Sequence, residues 1–358
     1  MKIMMVNHSG AANFKGGDSV QIQETTHRLF QRGHQIAVTN NDMPDTKGFD
    51  LVHIFNCREF NTFDNQLNSC EINGVPVVVS PIWISIPQAF WGSRATFSAI
   101  QDALDHGNHN NLRLLKEKTL ILEESGETFY SHGFGSEERF GIPKLRSLIN
   151  KVDGLLPNSF MEMKAIRHDL LWKGNCFKIA NYGVNPKIFL DTDPKEFRNQ
   201  TGIKYPFVLQ AGRIEPAKNQ AMLCWALRNS NIPIVLIGSS ENWPAYGEMC
   251  KAISGDKLTI IDHLPQDLLA SAYAAAGVHI LPSWCETCGL VSLEAAINNT
   301  PVIGSTFGHE IEYLKEDALY VNPADEDSLL QAVIQAIEEG KNHKRVINLK
   351  KRVLSEFN

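Results

Sequence analysis

From its first residues the chain alternates between two kinds of segment. Short apolar or β-branched runs at 3–7, 35–40, 50–56, 76–80, 154–157 and 177–181 are separated by stretches with helical periodicity. A second set of runs follows at 207–212, 234–238, 258–262, 278–282, 302–305 and 319–322. Runs with little polar alternation suit strands buried on both faces, the situation of parallel strands whose crossover helices cover the sheet. The alternation therefore predicts an α/β fold with parallel sheets and helices on both faces. The first helix is the clearest: Asp18 can cap a run that reaches about Arg32, where Gly33 is a stop signal.

The two sets of strands lie on either side of 185–206, a stretch rich in Pro, Asp, Lys, Asn and Thr with little apolar periodicity. Read as a linker, it divides the 358 residues into an N-terminal domain, 1–187, and a C-terminal domain, 188–358. Each is large enough to bury its own core. The expected architecture is two Rossmann-like, doubly wound domains facing across a cleft, with ligand sites at the carboxyl ends of the strands. One stretch interrupts the pattern. Residues 83–150 are too long for a simple connection and hold a helical piece at 112–123, Phe90, Trp91 and a glycine-punctuated run. Binding loops and a plain helical excursion both fit it.

Composition removes other classes. With 43% hydrophobic and 21% charged residues the chain is not disordered. A net charge of −6 speaks against broad nucleic-acid binding, which needs a basic surface. The seven cysteines show no spacing framework and read as reduced thiols of a cytoplasmic protein. No apolar run reaches the roughly 18 residues of a membrane span, and the N-terminus is apolar too briefly for a signal peptide. Peripheral membrane contact stays open.

Three motifs could carry chemistry. Gly16-Gly17, between the first strand and its helix, would let backbone approach an anion or a sugar diphosphate, and equally suits a tight turn. Gly212-Arg213 with Lys218 follows the strand at 207–210; the two cations could clamp a diphosphate or lie solvated on the surface. After the strand at 278–282 comes Ser283-Trp284-Cys285-Glu286-Thr287-Cys288-Gly289-Leu290, then Glu294 on the helix that starts near Gly289. Backbone N–H groups around Cys288, Gly289 and Leu290 would favour a phosphate. Glu286 and Glu294 could accept hydrogen bonds from sugar diols, or simply be acids favoured near a helix N-terminus. Cys285-x-x-Cys288 has no second pair to complete a zinc site. The Phe307-Gly308-His309-Glu310 run could be a further lip of the site or a connection.

These elements, in this order, resemble the family-4 retaining glycosyltransferases of the GT-B fold, over nearly the whole chain. The matching residues are Gly16-Gly17, Arg32-Gly33-His34, Asn158-Ser159, Tyr182-Gly183-Val184-Asn185 with Phe189, Gly212-Arg213 with Lys218, and Glu286 to Glu294 in the pattern Pro-Ser-x-x-Glu-x-x-Gly-Leu-x-x-x-Glu-Ala. The resemblance implies transfer of a sugar from a nucleotide-diphosphate donor, UDP the commonest, to a sugar, lipid or small-molecule acceptor, with retention and without a metal ion or other cofactor. Arg213 and Lys218 would neutralise the leaving diphosphate, Glu286 would bind the transferred sugar and Glu294 the ribose. Backbone at Gly16, Gly17, Gly212, Cys288, Gly289 and Leu290 would line the donor. Many relatives carry a histidine after the fourth N-terminal strand; here Ser80-Pro81-Ile82-Trp83 stands there, and His132 is the candidate to fill the place. Trp83 and Trp91 are read as core packing or, alternatively, as platforms that stack on a sugar acceptor. The alternative is a non-catalytic nucleotide-sugar binder on the same fold. Relatives usually continue beyond the basic stretch 345–358 into a further helix, so the expectation is a truncated chain or one module of a longer protein.

Overall fold

A computed structural model of the chain describes residues 1–12, 17–125, 137–190, 192–203 and 206–357. Its elements run β1 (Lys2–Val6), α1 (Gly17–Gln31), β2 (Gln35–Thr39), β3 (Leu51–Phe55), α2 (Phe60–Asn73), β4 (Val77–Ser80), α3 (Ile86–His106), α4 (Asn110–Ser125), α5 (Ile142–Ile149), β5 (Gly154–Leu155) and α6 (Phe160–Asp169). There follow α7 (Pro186–Phe189), α8 (Pro194–Thr201), β6 (Val208–Ala211), α9 (Gln220–Leu227), β7 (Ile234–Ile237), α10 (Pro244–Ser254), β8 (Leu258–Ile261), α11 (Gln266–Ala275) and β9 (Val278–Ile280). The last are α12 (Leu290–Ile297), β10 (Val302–Ser305), α13 (Ile311–Leu314), β11 (Leu319–Val321), α14 (Glu326–Glu339) and α15 (Lys344–Glu356).

The strands form two sheets, ordered β2-β1-β3-β4-β5 and β11-β10-β9-β6-β7-β8. Their pairings are parallel, as the runs of buried apolar residues predict. In the second sheet β6 is flanked by β7 on one side and β9 on the other. Strand order reverses there, so the connections after β6 and β9 leave to opposite faces and open a crevice at their carboxyl ends. Around this sheet α9 is buried on every side, and α14 supplies Leu329, Val333 and Ala336 to the same core.

The chain divides into two compact units: Met1–Ser85 with Gly135–Tyr182, and Ile86–Phe134 with Gly183–Asn358. This differs from a 1–187/188–358 division in two ways. The segment expected to be a linker is packed structure of the second unit. Asn185 and Asp193 each accept a hydrogen bond from the backbone N–H two residues on, Pro186 and Pro194 start α7 and α8, and Phe189 and Phe197 are buried. Of the excursion, α3 and α4 belong to the second unit and α5 to the first. The Trp284 indole N–H donates to Thr96 Oγ1 on α3 at 3.0 Å, and its ring meets Trp91 edge-on at 5.8 Å. Lys116 on α4 pairs with Asp325 at 2.8 Å, and Thr306 donates to Glu123. The run at 177–181 is not a strand but a single bridge from Phe177 to Leu155. Strand β5 is two residues long, and Pro157 has no N–H with which to extend the ladder.

Gly92 is where α3 meets Trp284 most closely. A β-carbon there would lie 2.1 Å from Cε3 of the indole. Gly92→Ala should therefore lower stability by about 1–3 kcal/mol, read as a fall in the urea midpoint.

Candidate functional site

In the second unit the crevice after β6 and β9 is built from loops held by buried amides. Gln210, at the end of β6, donates to the carbonyl of Lys218 at 2.7 Å, and Gln220 donates to that of Arg213 at 2.8 Å. Asn219 donates to the carbonyls of Pro282 and Pro323, at 3.0 and 2.8 Å, so it ties the ends of β9 and β11 to the β6 loop. The backbone N–H of Trp284 donates to Ala217 at 3.0 Å. These bonds carry the cationic loop to the acidic one: Lys218 Nζ lies 2.5 Å from Glu286 Oε2. The pair is mostly shielded, with side chains 22% and 12% exposed. Burial opposes the Lys218 charge, but Glu286 outweighs it and leaves the ammonium above its ordinary pKa. Arg213 is different. Its guanidinium is 61% exposed and pairs with Glu215 at 3.0 Å.

Gly289 precedes α12 with φ +63°, a left-handed turn that exposes the first backbone N–H groups of the helix. Cys288 is buried beside it, and Leu290 is the first helical residue. One helical turn on, Glu294 accepts the phenolic O–H of Tyr273 at 2.9 Å. Burial raises its pKa to about 7, against the pull of that hydrogen bond. Gly212, Arg213, Lys218, Glu286, Cys288, Gly289 and Leu290 lie on the loops and the helix start that follow β6 and β9, and Glu294 lies one turn into α12.

Glu310, the last residue of the run that the sequence left as a lip of the site or a connection, is buried completely. Its carboxyl accepts the Ser305 N–H at 2.9 Å and the Ser292 hydroxyl at 3.3 Å, which joins the end of β10 to α12. A β-carbon at Gly289 would lie 2.4 Å from one of its oxygens, and one at Gly304 2.9 Å from the other. The adjacent His309 N–H donates to the Glu286 carbonyl at 2.8 Å. Burial and then the Glu286 charge push Glu310 up to about 8. Burial also holds the His309 imidazole neutral, down to about 4.

In the first unit, Asn56 and Ile82, at the ends of adjacent strands β3 and β4, have φ of 71° and 52°. A β-branched residue in that region is strained, and the surroundings must hold it. Glu162 does so: its two oxygens accept the N–H groups of Trp83 at 2.6 Å and Asn158 at 2.5 Å. Trp83 follows the core-packing reading, and the acceptor-platform alternative fails. It is fully buried, and its indole N–H donates to Asp169 at 2.9 Å, so no face is left to stack on an acceptor. Gly17 opens α1 and is exposed. Gly16 and His132 lie outside the described residues. Among the described residues no cluster of three or more His, Cys, Asp or Glu could hold a metal ion. No described helix is long and apolar enough to cross a membrane.

A carboxyl whose pKa is raised on folding stabilises the fold fully below its unfolded pKa. That contribution is lost as pH climbs through the folded value. For Glu310 the window runs from about 4.5 to about 8. Urea unfolding at pH 5 and pH 8 should show a decline in stability that Glu310→Gln makes shallower, by on the order of 2 kcal/mol. An identical slope in the variant would contradict the burial argument.

Known proteins give this geometry a context. Residues 193–353 match the sequence profile of a family described as glycosyl transferases group 1. The chain is 30% identical over 148 residues to a D-inositol 3-phosphate glycosyltransferase of Kribbella flavida, a match covering 37% of this chain and 35% of that relative's length. A protein of the same description from Streptosporangium roseum is 25% identical over 82% of this chain and 73% of its own. Among solved structures, Anabaena Alr3699/HepE in complex with UDP-glucose superposes with a TM-score of 0.72 at 16% identity, covering 100% of this chain and 96% of that one. At that identity the likeness concerns the fold: two Rossmann-like α/β units with parallel sheets, of the GT-B type. The segment 193–353 is thus similar to the glycosyl transferases group 1, and the chain spans about a third of the length of the Kribbella relative it matches.

Proposed function

We propose that the chain is a metal-independent, retaining glycosyltransferase that moves a hexosyl group from a UDP-sugar to an acceptor hydroxyl. The observation that carries this reading is the contact between Lys218 and Glu286 at the switch-point crevice, beside Arg213 and the start of α12. In the UDP-sugar, the bond that breaks joins the anomeric carbon to the diphosphate. Negative charge grows on the departing phosphate, where the ammonium of Lys218, the guanidinium of Arg213 and the first N–H groups of α12 would meet it. A lysine ammonium has three donors, so Lys218 can turn from Glu286 to the diphosphate. Glu286 is then free to accept hydroxyls of the transferred sugar. The acceptor oxygen would bond to the anomeric carbon on the face the diphosphate leaves, and its proton would pass to the departing phosphate oxygen.

The family profile over 193–353 and the fold shared with a UDP-glucose complex support the donor class. The acceptor would be a sugar, a lipid or a small molecule. Membership of family 4, a cytoplasmic location and contact with a membrane surface belong to the same reading.

Release of UDP from a panel of UDP-hexoses tests it without knowledge of the acceptor. Lys218→Ala should slow release by about 10²–10³-fold while the thermal melt stays cooperative. Release at the wild-type rate by a folded Arg213→Ala/Lys218→Ala double variant would overturn this assignment of the two cations, and no release by the wild type from any donor would leave a non-catalytic binder in its place.

A further inference from the structure

Tyr273 is buried in the second unit with its hydroxyl turned to Glu294, and it has no part in the chemistry above. The O–H donates to Glu294 Oε2 at 2.9 Å. Burial first, and then the Glu294 charge, hold the phenol well above its ordinary pKa, so it stays a donor. Its ring is boxed by His279, edge-on at 5.6 Å, and by Phe189 at 6.3 Å. Its backbone is held as tightly: Thr300 donates to the Tyr273 carbonyl at 2.6 Å, and Lys341 to that of Ala274 at 2.5 Å. A phenol fixed on all sides has one direction in which to offer its proton.

Glu294 has three side-chain torsions and no other side-chain hydrogen bond among the described residues. Without the phenol the carboxylate would sample several rotamers. With it, Oε2 is occupied and fixed, and Oε1 is the oxygen left for a ligand. A carboxylate that must accept a vicinal diol needs this kind of support, because its selectivity depends on where its oxygens stand before the ligand arrives.

We infer that Tyr273 is a positioning residue that orients Glu294 toward the ribose hydroxyls of the donor nucleotide and so sets the preference for ribonucleotides over deoxyribonucleotides. This rests on the reading of Glu294 as the ribose ligand. The residue acts through Glu294 and touches no substrate itself.

The test is calorimetric titration with UDP and with 2′-deoxy-UDP. Wild type should bind UDP about tenfold or more tightly than the deoxy analogue, the worth of one hydrogen bond to a charged group. Tyr273→Phe keeps the ring between Phe189 and His279 and should cut that ratio to about threefold or less, with a melt near that of wild type. Glu294→Ala should abolish the preference. If Glu294→Ala abolishes it while Tyr273→Phe retains it, the role of Tyr273 is overturned and that of Glu294 stands. If wild type shows no preference, or Glu294→Ala keeps it, the ribose reading of Glu294 fails and takes this inference with it. Should Tyr273→Phe not fold, 4-aminophenylalanine at position 273 retains a donor on the same ring. It must then preserve the preference, and loss of the preference would overturn the inference.

Discussion

An ammonium and a carboxylate 2.5 Å apart, Lys218 and Glu286, join the two loops that leave the second sheet at its switch point. Neither charge would be tolerated at that depth alone. Each makes the other affordable, and together they hold the crevice in a state ready for exchange. A diphosphate brings its own negative charge to the same ammonium, so binding replaces one anion by another instead of placing a charge in an empty apolar pocket. That is the electrostatic logic of a site that must bind a dianionic group and then see its charge increase as a bond breaks.

The pair can work only if the loops around it stay still, and the buried amides provide this. Gln210 and Gln220 donate to carbonyls of the loop that follows β6, and Asn219 donates to the carbonyl of Pro282 just past β9. Glu310 holds the opposite wall by accepting from the Ser292 hydroxyl and the Ser305 N–H, in a space shaped by Gly289 and Gly304. Trp284 completes the frame by fastening α3 across the unit through Thr96, Trp91 and Gly92. The side chains that meet substrate in the proposed reaction are few. Those that hold them are more numerous and more deeply buried.

Strand positions, the class of fold and the motif residues of the second unit were all legible in the sequence, because each leaves a local trace. A buried parallel strand is an apolar run, and a helix start after a glycine is a short pattern. Asn185-Pro186 and Asp193-Pro194 start α7 and α8 in the structure, but one apolar anchor apiece produces no periodicity, so in the sequence the stretch reads as a linker. What depends on distant partners left no trace. Thr96 and Trp284 are 188 residues apart, so nothing near either shows which unit α3 joins. In the sequence the run that ends at Glu310 reads as a lip of the site or a connection, and only Ser292, Ser305 and two glycines reveal its carboxyl as buried. Trp83 has the composition of a sugar platform, and Asp169 makes it a core residue instead.

The most direct measurement is the affinity of UDP for the wild-type chain and for Lys218→Ala, taken by calorimetry under one salt condition. If the ammonium passes from Glu286 to the diphosphate, its loss removes at least one charge-assisted hydrogen bond, and affinity should fall by about tenfold or more. Equal affinities in two folded proteins would mean that the diphosphate does not reach Lys218, and the account of this crevice as the donor site would be wrong.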